Sequence, residues 1–313
     1  MKILFDSVNF NARSGPNTFA LRLARALYMR GHTLADPSEN YDVMLSFIEP
    51  SREHKRGSML VQRLDGIWFK PEQFVTHNRG IKACYERADL VVWQSEFDKN
   101  MTQHHWDQPR SGTVIRNGID MTPCDSITIP GLQQLRNNHK MMFVCSSNWH
   151  PQKRLRDNVD LFLHLKDNFY KDAVLLILGS NPDAILPKQD VYYLGQQPQD
   201  VFIQVFAASN WMLHLAWLDH CPNVVVESLS QGTPVICTDT GGTKELVQEH
   251  GIILREEPYE FGLVYYDDPP RVAVDQITEP LPDRKMLGKH ADINIDTVAQ
   301  EYEAALTQLL ETR

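Results

Sequence analysis

The chain has 313 residues, 42% hydrophobic and 23% charged, with a formal net charge of -9. That length exceeds what one hydrophobic core usually organises and predicts two domains, while the composition is that of an ordered soluble protein rather than a low-complexity one. The negative charge excludes general affinity for nucleic acid, whose phosphates require clustered Lys and Arg, and the five cysteines form no Cys-x-x-Cys pair, which predicts reduced thiols and a cytoplasmic protein.

From the N-terminus, KILF at 2–5 reads as a first strand, because its apolar stretch is too short for a secretory signal. Helical periodicity follows near 17–30, with Ala20, Leu23, Ala24 and Leu27 on one face, Arg22 and Arg25 pointing elsewhere, and Gly31 as a stop. DVMLSF, SMLVQR, DLVVW and TVIR continue as short apolar strands, and this alternation predicts βαβ units around a mostly parallel sheet. From about residue 125, DSITIPGLQQLRNNHK carries turn and polar residues, so a linker is expected there rather than a packed element.

A second series then runs MMFVCS, a helix near 155–168, AVLLIL, VYYL, a helix near 198–207, WMLHL, a helix near 223–231 and PVICT, a second Rossmann-like unit. AVLLIL is the longest apolar run and falls far short of the roughly 20 residues that span a bilayer, so membrane contact is at most peripheral. The Pro-rich stretch at 265–285 predicts an extended surface connection. Val298, Tyr302, Ala305, Leu306 and Leu309 then recur at helical spacing and predict a terminal helix docked on one of the two domains. The expected partition is 1–130, 131–290 and a C-terminal helix within 291–313.

The residues with most chemistry lie in WLDHCPNVVVESLSQGTPVICTDTGGTKELV, 217–247. Pro222 suits the first turn of a helix, leaving the N–H groups of Asn223 and Val224 free to face an anion such as a diphosphate. Glu227, one turn further on, can accept hydrogen bonds from vicinal hydroxyls such as those of a ribose, and Asp219 can do the same for a sugar beyond the phosphates. Spacing alone equally fits a solvated turn acid at Asp219 and a surface acid near a positive helix end at Glu227. Thr240, Gly241 and Gly242 precede the next helix and either admit a ligand close to their amides or simply form a tight turn.

Elsewhere, Lys153 and Arg154 follow the MMFVCSSNWHPQ strand, where loops at a sheet's carboxyl edge face a ligand crevice. Gly15, within the Ser14-Gly15-Pro16-Asn17 loop before the first helix, offers close backbone approach or a plain turn. Asp65, with Arg63 before it, falls at the carboxyl end of SMLVQRL, where either an acceptor contact or an Asp-Gly turn fits. Asn117 and Gly118 read as a turn. The twelve histidines show no His-Glu-x-x-His spacing, and no Asp-x-Asp stands in a strand-end loop, so no metal site is expected. Neither a Gly-x-Ser-x-Gly elbow nor a P-loop lysine motif occurs.

The acid at 219, the Glu eight positions later, Gly-Thr-Pro-Val and the Gly-Gly-x-x-Glu segment, joined with GPNTFALRLARALYMRGH, VIRNGID and PQKR, resemble glycosyltransferase family 4, the glycosyl transferases of group 1. The resemblance covers most of the chain. It implies an α/β protein of GT-B architecture, with two facing Rossmann-like domains and a C-terminal helix. It further implies a retaining transferase that moves a sugar from a UDP-, GDP- or ADP-sugar to a hydroxyl acceptor without metal or other cofactor.

In that frame Lys153, Arg154, Asp219 and Glu227 are the catalytic set. Gly15, Pro222, Asn223, Val224, Glu227, Thr240, Gly241 and Gly242 hold the donor, and Asp65 lies on the acceptor side. One departure is Asn148, which stands where relatives carry Arg; His150, Arg154 and Arg156 are the nearby cationic substitutes. The rival expectations are a nucleotide-sugar epimerase on the same architecture and a non-catalytic nucleotide-sugar-binding protein.

Overall fold

Short apolar runs, most of them followed by amphipathic helices, build two sheets, and every strand pairing in both is parallel. The computed structural model describes all residues except 13, 181–187, 284–291 and 313. The expected boundary at 290/291 lies outside the described residues.

The first unit comprises β1 (Lys2–Asp6), α1 (Gly15–Met29), β2 (Thr33–Leu34), β3 (Val43–Phe47), β4 (Met59–Leu64), α2 (Pro71–His77), α3 (Arg79–Arg87), β5 (Leu90–Trp93), α4 (Glu96–His105) and β6 (Gly112–Val114). The second comprises α5 (Pro130–Asn138), β7 (Met142–Asn148), a 3-10 turn at Pro151–Lys153, α6 (Leu155–Asn168), β8 (Val174–Ser180), β9 (Val191–Gly195), α7 (Gln199–Ala208), β10 (Trp211–His214), α8 (Asn223–Ser230), β11 (Val235–Thr238), α9 (Thr243–Val247) and β12 (Gly251–Leu254). The chain closes with α10 (Ile295–Glu311).

Strand order is β2-β1-β3-β4-β5-β6 in one sheet and β12-β11-β10-β7-β8-β9 in the other. The second is the order of a dinucleotide-binding sheet, with winding reversed between β7 and β10; the first reverses between β1 and β3, as in flavodoxin-like sheets. Ligands in open α/β sheets bind at such reversals, outside the carboxyl ends of the strands. Topology alone therefore selects four loops, those after β1, β3, β7 and β10.

The stretch expected to be an unpacked linker contains α5. Pro130 opens it, and Leu132, 5% exposed, plugs it into the second core. A nine-residue helix with one fully buried side chain leaves too weak a periodic signal for sequence reading.

The terminal helix docks on the first domain. Val298, Ala299, Tyr302, Leu306 and Leu309 join Phe19, Leu23 and Leu27 of α1 in one core. Each buried Val or Leu there contributes roughly 1.5–3 kcal/mol relative to exposure. Gly118 admits this return path, because a Cβ there would lie 2.8 Å from the Val298 side chain and 3.1 Å from the Ile295 backbone.

Candidate functional site at the junction of the two domains

At the second reversal point, the loops after β7 and β10 bring Lys153 and Asp219 together, with Lys153 Nζ 2.6 Å from Asp219 Oδ2. His214, the last residue of β10, reaches the same oxygen at 3.3 Å. Burial by itself raises the Asp219 carboxyl, but the Lys153 ammonium and the His214 contact outweigh it and hold the group ionised well below the ordinary range. An ionised acid and a lysine thus share a partly open position, the two side chains being 14% and 23% exposed.

Pro222 caps α8, and its carbonyl accepts from the N–H groups of Val225 and Val226. The N–H groups of Asn223 and Val224 make no hydrogen bond among the described residues and are the unsatisfied donors that every helix start carries. The positive end of α8 thus follows directly on the loop that carries Asp219, the partner of Lys153. The Asn223 side chain spans the junction: Nδ2 donates to the Gly15 carbonyl at 2.9 Å, while Oδ1 accepts from Asn117 Nδ2 at 3.1 Å.

Glu227, on the second turn of α8, meets Arg22 of α1, with Oε1 2.5 Å from the guanidinium. Burial raises the carboxyl above its ordinary value, and Arg22 opposes that rise. Arg22 was expected only on the polar face of α1. Nothing in the first helix announces that its partner lies 205 positions away.

Arg154 departs from its neighbour. Its backbone is left-handed, with φ 51°, and its side chain turns inward, fully buried, to pair with Glu256 at 2.6 Å. Thr240 bonds the same carboxylate through its hydroxyl. The second cation expected in the crevice is thus committed to holding the loops after β7 and β11 against residue 256. Of the other substitutes for the missing Arg at 148, Arg156 is largely exposed beside Asp160, and His150 contacts Asn148 itself at 3.1 Å.

The two glycines after Thr240 serve packing of loop on loop. At Gly241, φ is +95°, and a Cβ would lie 2.8 Å from the Asp219 carbonyl; at Gly242 it would lie 1.9 Å from the His220 carbonyl. The Gly242 N–H is already donated to the Asp219 carbonyl, at 2.7 Å. These contacts set the position of the Asp219 loop.

On the first domain, Asp65 follows β4 and pairs with Arg63, which is buried and stacked 4.3 Å over the Phe19 ring. Arg63 also donates to Asn117. A chain Asp65–Arg63–Asn117–Asn223–Gly15 therefore crosses the junction, and Asn117, expected to be a turn residue, is its central link. Glu245 closes the junction from the other side. Its carboxylate accepts the Glu96 and Phe97 N–H groups at 2.8 Å each, capping α4 of the opposite domain, with Arg116 at 3.3 Å.

His220, next to Asp219, presses its ring on Gly66 and lies 3.6 Å from the Asp98 carboxylate. Burial drops the imidazole to about 4 and pushes the Asp98 carboxyl well above its ordinary value.

Two parallel α/β sheets, with polar groups gathered where their winding reverses, define a doubly wound α/β architecture. Comparison with known proteins narrows the class. Residues 138–263 match the family model described as glycosyl transferases group 1. An uncharacterized glycosyltransferase of Methanocaldococcus jannaschii is 23% identical over 210 residues, 59% of this chain and 51% of that protein, so the match spans about half the length of this curated relative.

Among solved structures, sucrose-phosphate synthase from Thermosynechococcus elongatus superposes with TM-score 0.70 at 13% identity over 100% of both chains. HepE of Anabaena, in complex with UDP and glucose, does so with TM-score 0.67 at 17% identity over 98% of this chain and 99% of that one. The chain therefore has the GT-B fold, and residues 138–263 are what resembles the glycosyl transferases of group 1. Among the described residues no helix is long and apolar enough to cross a membrane, and no group of three His, Cys, Asp or Glu is placed to hold a metal ion.

Proposed function

We propose that this protein transfers a glycosyl group from a nucleoside-diphosphate sugar to a hydroxyl acceptor in the cytoplasm, with retention at the anomeric carbon. The observation that carries the reading is the convergence of Lys153, the free Asn223 and Val224 amides and Asp219 at the reversal point of the second sheet. Lys153 and the start of α8 bear on the diphosphate, Glu227 on the ribose and Asp219 on the sugar hydroxyls. UDP is the first nucleotide to test, because HepE is known in complex with UDP and glucose.

In the reaction the bond from the anomeric carbon to the diphosphate oxygen breaks, and the acceptor oxygen bonds to the same face. Its proton passes to the departing phosphate. No protein base is then required, and Lys153 with the α8 amides stabilises the charge that develops on the leaving group. This supply of positive charge is what makes the proposed transfer independent of metal. Arg154 acts indirectly, by fixing the loops, and Asp65 faces the acceptor side while holding Arg63 in place.

The test is thermal stabilisation by UDP, GDP, ADP and their sugars in metal-free buffer, repeated with Glu227→Ala. One nucleotide is expected to raise the melting temperature in the parent and not in the variant. No shift with any nucleotide sinks the proposal.

A further inference from the structure

Two extended segments far apart in the chain, around Phe69 and Val264, meet beside the site without being absorbed by it. The Val264 N–H donates to the Phe69 carbonyl at 3.0 Å. Phe69 is buried, packed 5.0 Å from the Tyr266 ring and 6.2 Å from the His220 ring. The residues flanking this contact point outward instead. Trp68 is 42% exposed, Leu263 41% and Tyr265 57%, and Lys70 Nζ lies 6.0 Å from the Tyr265 ring.

Trp68 is held rather than loose. Its N–H donates to Asn78 Oδ1 at 2.9 Å, its carbonyl accepts from Asn78 Nδ2 at 2.6 Å, and its ring packs 5.1 Å from that of His77. It also stands two residues after Gly66, which His220 covers. Two residues of chain span at most about 7 Å, so the exposed indole begins within that distance of Gly66, the residue that the His220 ring covers.

We propose that Trp68 and Tyr265 form a ledge that binds a neutral oligosaccharide, the acceptor of the transfer reaction. This rests on the function proposed above. Pyranose rings present an apolar C–H face that stacks on the electron-rich face of an aromatic ring, and their rim of hydroxyls donates to carboxylates. The surroundings favour a neutral ligand. Residues 68–77 carry Lys70 and Glu72, and 257–268 carry Glu257, Glu260, Asp267 and Asp268, a net charge of -4 from one base and five acids. That field repels an anionic lipid surface or a charged polymer and leaves aromatic faces beside hydrogen-bond acceptors.

The experiment is titration of the full chain with maltohexaose, cellohexaose, xylohexaose and mannohexaose, by saturation-transfer NMR and calorimetry. Parent, Trp68→Ala, Trp68→Phe and Tyr265→Ala proteins are compared, with UDP binding measured in parallel. At least one oligosaccharide is expected to bind with a millimolar Kd that weakens tenfold or more in Trp68→Ala and is largely restored in Trp68→Phe, while UDP affinity changes less than twofold. Binding of none of the four, or equal binding by parent and Trp68→Ala, overturns the ledge. So does adsorption to phosphatidylcholine vesicles that is lost in Trp68→Ala without any oligosaccharide binding. If the ledge binds sugar but no nucleotide binds the chain, the transferase reading fails and the glycan site stands.

Discussion

The two acid–base pairs at the junction are built differently. Lys153–Asp219 joins loops of one domain, whereas Arg22–Glu227 joins α1 of one domain to α8 of the other. The first pair follows strands β7 and β10, which are hydrogen-bonded neighbours, so folding of the second sheet alone brings it together. The second exists only while the domains are closed. One part of the candidate site is therefore preassembled: the Lys153–Asp219 pair belongs to one folded unit, and the part about Glu227 depends on the approach of the other.

Adjacent residues sharpen the same contrast, because Arg154 serves the fold where Lys153 faces the crevice. Arg154→Met, which leaves Glu256 buried without its cation, is expected to cost about 3–5 kcal/mol, read by urea unfolding. A loss below about 1 kcal/mol would show that this pair does not hold the loops. Lys153→Ala is expected to keep the fold, by circular dichroism, while lowering donor turnover on the order of 100- to 1,000-fold, the scale for removing one group that stabilises developing charge. Near-parent turnover would move the diphosphate contact elsewhere.

The contact of His220 with the first domain has a pH signature. The buried His220 imidazole has its folded value lowered to about 4 from 6.5, so its contribution to stability is present above pH 6.5 and is lost as pH falls toward 4, at up to about 1.4 kcal/mol per pH unit. His220→Gln should flatten that decline in unfolding curves taken between these limits. Asp98 acts with the opposite sign, since its carboxyl is raised, and Asp98→Asn should steepen the decline. The smallest effect is expected at the junction pair. Arg22→Gln frees Glu227 for a ribose and should tighten UDP binding about fivefold, equivalent to about 1 kcal/mol, by calorimetry; weaker binding would mean that Arg22 itself contacts the nucleotide.

The strand–helix alternation and the helix-starting Pro222 were legible because each is a local pattern of 5–15 residues set by periodicity and backbone chemistry. Residues 219–227 were legible for the same reason, as a loop and a helix start. The α5 helix was not, for want of more than one buried residue.

Local pattern thus sufficed for two parallel α/β units and an amphipathic terminal helix. Only the tertiary structure decided that α10 returns to the first domain, that Arg154 turns inward to Glu256, that Arg22 covers Glu227, that Glu245 caps α4 and that Asn117 links Arg63 to Asn223. Each of these is a contact between residues far apart in the chain. Its energy comes from desolvation and pairing at a surface that no single segment possesses.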